Sequence, residues 1–190
     1  MADTGTPSRT TTGTIPIHKS GLRLVKADIT TLDAEAIVFY ARPNLALGSG
    51  FGAAIARRGG ASIKKELDQI GEIAATEAVV TTAGDLKAKY IVHAAGPAFQ
   101  EENLEEKLRT TIVNALKRAD ERHIGQIAFP PMGAGFYGVP LPLCADLMLA
   151  TITSYFSNST GIREVIICAN DAREYRVFES KLAALSQPSR

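Results

Sequence analysis

Six residues in the second half of the chain, Gly133-Ala134-Gly135-Phe136-Tyr137-Gly138, hold three glycines between a short apolar run, Ile127 to Met132, and Pro140, from which a helical pattern begins. A second glycine-rich stretch lies far upstream, Gly48-Ser49-Gly50-Phe51-Gly52, also set between a strand-like run and a helix-like one. Glycine has no Cβ, so an anionic group can come close to main-chain N–H groups, and the start of a helix adds the positive end of its dipole. Taken singly, either stretch is equally a tight strand-to-helix turn whose glycines supply positive φ. Taken together they point to a phosphate cradle, because two such loops could grip a diphosphate from both sides. Other groups with chemical potential read as structural. His93 lies inside a strand-like run and is expected as a packed, hydrogen-bonded core histidine rather than a general base. Cys144 and Cys168 stand outside any metal-ligand spacing with His18, His93 or His123, which predicts buried, reduced thiols of a cytosolic protein and no structural zinc.

The elements that must position the two loops follow from periodicity. Ile15 to His18 and Leu22 to Val25 alternate as half-buried strands about a turn at Ser20-Gly21, with Pro16 favouring an edge. Ala36 to Ala41 is a continuous apolar run, the pattern of a strand covered on both faces. Beyond the first glycine loop, Ala53 to Ala56 predicts a short helix stopped at Gly59-Gly60, and Ile63, Leu67 and Ile70 a second one ended by Gly71. Ala78 to Thr82 and Tyr90 to Ala94 read as strands. Leu104, Leu108, Ile112, Leu116 and Ala119 mark an amphipathic helix over about residues 102–122. Ile127 to Pro130 gives a strand, Pro140 the first turn of a helix carrying Leu141, Cys144, Met148, Ile152 and Tyr155, and Val165 to Ala169 a last buried strand. Tyr175, Phe178, Leu182 and Leu185 belong to a closing helix. This alternation predicts a three-layer α/β/α domain over residues 14–186 with a mixed, mainly parallel sheet, in which ligands sit outside the carboxyl ends of the strands, where both glycine loops begin.

Composition narrows the function. The chain has 21 lysines and arginines against 20 acids, so its net charge of +1 offers no general attraction to nucleic acid or an anionic membrane, and an anion must be bound locally. No apolar run approaches the ~20 residues that span a bilayer, and the N-terminus lacks the apolar core of a signal peptide, so a cytoplasmic location is expected. Residues 1–13, rich in threonine, serine, glycine and proline, are expected as a flexible tail, as are residues 187–190.

The order Ala27-Asp28-Ile29-Thr30, an Ala-Ile-Val strand, a glycine loop opening a helix, Lys89-Tyr90-Ile91-Val92-His93-Ala94-Ala95-Gly96-Pro97, Ile127-Ala128-Phe129-Pro130 and Gly133 to Gly138 resembles the macrodomain family, over about Leu22 to Leu185. The resemblance implies an α/β/α module that binds ADP-ribose or ADP-ribosylated macromolecules as ligand and needs no cofactor or metal. Some members hydrolyse ADP-ribosyl esters or O-acetyl-ADP-ribose. It implies that Asp28 accepts a hydrogen bond from the adenine amino group while Ile29 offers its backbone N–H to the ring. A helix cap or turn is the role Asp28 would have without that context. Gly48, Ser49, Gly50 and Phe51 match the first diphosphate loop. Gly133, Ala134, Gly135, Phe136 and Tyr137 match the second, with Phe136 along the diphosphate and distal ribose and Tyr137 on the phosphate side. Asn170, with Asp171, stands where several relatives supply an aromatic residue for the adenine face.

The pattern departs from the hydrolytic MacroD type at two places. The Asn-Ala-Ala-Asn segment is matched by Phe39-Tyr40-Ala41-Arg42, so that Arg42, a donor only, replaces the asparagine that orients the distal ribose. No carboxylate occupies Phe51-Gly52-Ala53-Ala54, where those enzymes place the aspartate that positions water. The resemblance therefore implies a binding module for ADP-ribose or a related nucleotide diphosphate without strong MacroD-type hydrolysis. The alternative is an ADP-ribosyl hydrolase or O-acetyl-ADP-ribose deacetylase that uses the substrate's own phosphate to activate water. A third reading, a scaffold or RNA-associated protein, would have Phe39, Tyr40 and Phe51 filling the old cleft.

Overall fold

The computed structural model describes residues 10–48, 50–135 and 137–185. The expected tails over residues 1–9 and 187–190, and the loop residues Ser49 and Phe136, lie outside the described residues. The strands are β1 (Thr10–Thr11), β2 (Ile15–Ile17), β3 (Ser20–Lys26), β4 (Ala36–Ala41), β5 (Ala78–Thr82), β6 (Tyr90–Ala95), β7 (Gln126–Phe129) and β8 (Glu164–Ala169). The helices are α1 (Phe51–Gly59), α2 (Ala61–Ile70), α3 (Leu104–Glu121), α4 (Leu141–Phe156) and α5 (Ala172–Leu185), with a 3-10 turn over Ile29–Thr31.

One sheet runs in the order β1-β3-β8-β7-β4-β6-β5, with β2 also paired to β3. The four pairings from β3 through β8, β7 and β4 to β6 are parallel, and β5, β1 and β2 join antiparallel. Side chains alternate along a strand, so the fully buried β4 feeds two cores. Ala36, Val38 and Tyr40 join α3, α4 and α5 on one face, while Ile37, Phe39 and Ala41 join α1 and α2 on the other. The three layers expected from the strand–helix alternation are those observed.

Three expectations change. Thr10 and Thr11, placed in the tail by composition, pair with Lys26 and Val25, because the exposed side of β3 offers backbone partners that a polar segment takes without burying apolar surface. The turn between β2 and β3 is His18-Lys19 rather than Ser20-Gly21, with His18 at φ +55°. Gly21 is extended within β3 and serves packing instead, since a Cβ there would lie 2.4 Å from Thr14 Cγ2. Pro140 stands just before α4 as its cap residue, and Pro142 takes the first-turn position.

His93 is fully buried in β6 as expected, its Nε2 2.9 Å from Thr81 Oγ1, while Nδ1 has no hydrogen-bond partner. Burial lowers its pKa to about 3, so the ring is a neutral core group. Cys144 and Cys168 are both buried, and burial pushes the Cys144 thiol up to about 12. Among the described residues no helix is long and apolar enough to cross a membrane.

Candidate functional site

Strands β4 and β7 are parallel neighbours, paired at Ala36–Ile127 and Ile37–Ala128, so the chain leaves both at the same edge of the sheet. The segment after Ala41 runs into α1, and the segment after Phe129 runs into α4. Between them, and reaching the ends of β3 and β8, lies a cleft of about 570 Å³. That volume suits a small-molecule ligand. Of the residues singled out in the sequence, Asp28, Ile29, Arg42, Gly48, Gly50, Phe51, Gly133, Ala134, Tyr137 and Asn170 border it, and Gly135 does not. Two loops more than eighty positions apart in the chain thus meet across one cavity because β7 inserts beside β4.

The glycines divide by what they do. Gly50 opens α1 at φ +61° and ψ −124°, and the space beside it is empty. Gly48 has neither positive φ nor any atom within 4 Å of where a Cβ would lie, so no backbone or packing constraint calls for glycine there, and it faces the cleft. Gly133 and Gly138 have positive φ and are also packed, against Val139 and Phe99 respectively. The second loop closes on itself through Gly138 N–H to Gly135 O, 3.0 Å, and Val139 N–H to Gly133 O, 3.1 Å. Gly135, at φ +80° with open space beside it, needs glycine for its backbone.

Three aromatic residues at the end of β4 and start of α1 form a wall and leave the cleft open. Phe39 and Phe51 meet edge-on with ring centroids 5.3 Å apart. Tyr40 stacks at 4.3 Å on Tyr137 of the second loop, and its hydroxyl donates to Pro97 O at 2.6 Å. A Cβ at Gly96 would lie 2.1 Å from the Tyr40 ring, so that glycine makes room for it.

The cleft is electrically polarised. One end, bordered by Gly48, Gly50, Gly133 and Ala134, holds the N-terminus of α1, which favours anions. Its other end, at β3, β8 and α5, holds two carboxylates. Asp28 caps the 3-10 turn, accepting at Oδ1 from Thr30 N–H at 3.0 Å and from Thr30 Oγ1 at 2.6 Å, while Oδ2 is ion-paired with Arg58. Burial works to raise its pKa, but the Thr30 and Arg58 bonds outweigh it and hold the carboxyl below its ordinary value. The capping role and the cleft-lining position therefore coincide in one residue. The second carboxylate, Glu174, is half-buried. Its pKa is raised, chiefly by burial, with the charge of Asp171 adding to it and the Asn170 N–H working against it. Glu174 Oε2 accepts from Asn170 N–H at 2.7 Å, and Glu174 N–H donates to Asp171 Oδ1 at 2.8 Å. The sequence does signal this residue, since Asp171-x-x-Glu174 has the spacing of a helix capping pair, but nothing in that spacing says that the cap faces a cleft.

A family model described as Macro domain matches residues 41–148, which span both glycine loops. The chain belongs to the macrodomain family. An uncharacterized protein of Saccharolobus solfataricus is 40% identical over 161 residues, covering 83% of this chain and 89% of that protein. A macro domain-containing protein of Caldanaerobacter subterraneus is 35% identical, covering 89% and 99%. The Oceanobacillus iheyensis macrodomain solved with ADP superposes with a TM-score of 0.87 at 25% identity, covering 94% of this chain and 97% of that one. A mutant of that protein was solved with ADPR and superposes with a TM-score of 0.86.

In this macrodomain the start of α1 is uncharged, and it is closely packed at Gly52. A Cβ at Gly52 would lie 3.1 Å from the Phe39 ring and 3.2 Å from the Leu47 backbone. A side chain there would need Phe39, a ring only 8% exposed, to give way by a few tenths of an ångström.

Proposed function

We propose that this macrodomain binds ADP-ribose, or a related nucleotide diphosphate, in the cleft between its glycine loops and does not hydrolyse it by the MacroD-type route. The observation that carries the reading is the polarity of one cavity. Donor-rich glycine loops, the first of them opening α1, border one end, and two carboxylates border the other. A nucleoside diphosphate has the complementary order, with anionic oxygens at one end and amine and hydroxyl donors at the other. ADP with one macrodomain and ADPR with its mutant support the same ligand class. The packing of Phe39 on Gly52 supports the absence of the hydrolytic aspartate as a built feature of this chain.

Titration calorimetry with ADP-ribose and AMP tests the reading. The diphosphate is expected to bind the more tightly, and saturating it at 100 times its dissociation constant should stabilise the fold by about 2.7 kcal/mol. Equal affinity for AMP would contradict it. Release of ADP-ribose from a modified protein decides the enzymatic alternative, in which a substrate phosphate orients the water. No turnover above that of a Gly48→Glu variant is the expected outcome.

A further inference from the structure

We infer that Glu174 is a specificity residue of the cleft, accepting a hydrogen bond from a ribose hydroxyl of the nucleoside and thereby selecting ribonucleotides with a free 2′,3′-diol. The inference rests on the binding mode proposed above. In that mode the base lies at Asp28 and Ile29 and the diphosphate at the glycine loops, so the nucleoside ribose must cross the ground between. Glu174 is the second carboxylate of the Asp28 end and lines the same cavity. Its Oε2 is tethered at 2.7 Å to the N–H of Asn170, which follows β8 directly. α5 thus holds the carboxylate beside the end of β8, and both it and Asn170 line the cavity that Asp28 and the glycine loops also border.

The chemistry of that position is restrictive. Asp28 already accepts from Thr30 and pairs with Arg58, whereas Glu174 Oε1 has no hydrogen-bond partner among the described residues. An ionised carboxylate has acceptors only, so a ligand group facing it must be a donor. A ribose diol supplies one. A phosphate on either hydroxyl would place like charges together in a partly desolvated site, the case in which nucleotide sites replace the carboxylate by arginine.

The test compares ADP, 2′-deoxy-ADP, 3′-deoxy-ADP and 2′-phospho-ADP-ribose by calorimetry on the wild-type chain, Glu174→Gln and Glu174→Ala. Glu174→Gln keeps an acceptor for Asn170 N–H and so keeps the cap, and circular dichroism checks that both variants fold. For the wild type, at least one deoxy nucleotide is expected to bind about tenfold more weakly than ADP, the loss of one charge-assisted bond. In Glu174→Ala that difference should fall to about unity. The penalty on the 2′-phosphate should shrink about tenfold in Glu174→Gln, where the repelling charge is gone. Deoxy nucleotides that bind the wild type as tightly as ADP, or a deoxy penalty unchanged in Glu174→Ala, overturn the assignment while leaving nucleotide binding intact. Failure of ADP and ADP-ribose to bind the wild type at all overturns both.

Discussion

At the scale of single residues the glycines carry most of the site, and they are not interchangeable. Gly48 is unconstrained by φ or by neighbours and borders the cavity, so a side chain there would project into open space in the cleft. Gly48→Glu is expected to abolish ADP-ribose binding with a change in urea-unfolding stability within about 0.5 kcal/mol. Gly52 is the opposite case. Gly52→Asp, which would put a carboxylate in the first turn of α1, drives a Cβ against Phe39 and the Leu47 backbone and should cost about 1–3 kcal/mol. Loss of binding by Gly48→Glu only in proportion to unfolding, or a fully stable Gly52→Asp protein, would contradict this division.

At the scale of elements, what the sequence discloses is what local patterning controls. The all-apolar β4, the stripe of α3 and the glycine stops of α1 and α2 are each dictated by residues within a few positions, and each appears where periodicity places it. The β2–β3 turn was obscured because Ser20-Gly21 has turn-forming chemistry, while the actual reason for Gly21 is contact with Thr14, seven residues away. Glu174 and Tyr40 were obscured for a larger reason, since their roles depend on which strand ends the sheet order brings together. Tyr40, on β4, reaches Pro97 after β6 and Tyr137 after β7, so one ring ties together the segments at three strand ends. Removing only its hydroxyl in Tyr40→Phe should cost about 1 kcal/mol of stability through the lost bond to Pro97. ADP-ribose affinity should fall with it, because the second loop loses a fixed support. A variant of unchanged stability in denaturant titration would show that the hydroxyl is no strut.

At the scale of the whole molecule, the cleft lies at the strand ends of a sheet whose stability is set deep within it, and pH separates the two. His93 is buried neutral, with its pKa lowered from 6.5 to about 3. Below pH 6.5 the unfolded chain takes up a proton there that the folded chain refuses. The contribution of His93 is therefore whole above that value and is lost as pH falls toward 3, at about 1.4 kcal/mol per pH unit. Asp28 and Glu164, the latter bonded to Arg23 and Gln126 at the far edge of the sheet, have lowered pKa values and act in the same direction in more acid solution. Glu174, with a raised pKa, acts in the opposite one, its protonated form being the more readily buried. His93→Gln retains an amide able to bond Thr81 but has no proton to gain. Urea unfolding between pH 4 and 7 should show a stability that declines more gently with acid in the variant than in the wild type, by about that slope once the pH is below 6.5. Parallel curves would mean that the histidine reaches solvent and titrates alike in both states. The acid sensitivity would then belong to the carboxylates alone, and the core beneath Phe39 would be looser than its geometry implies.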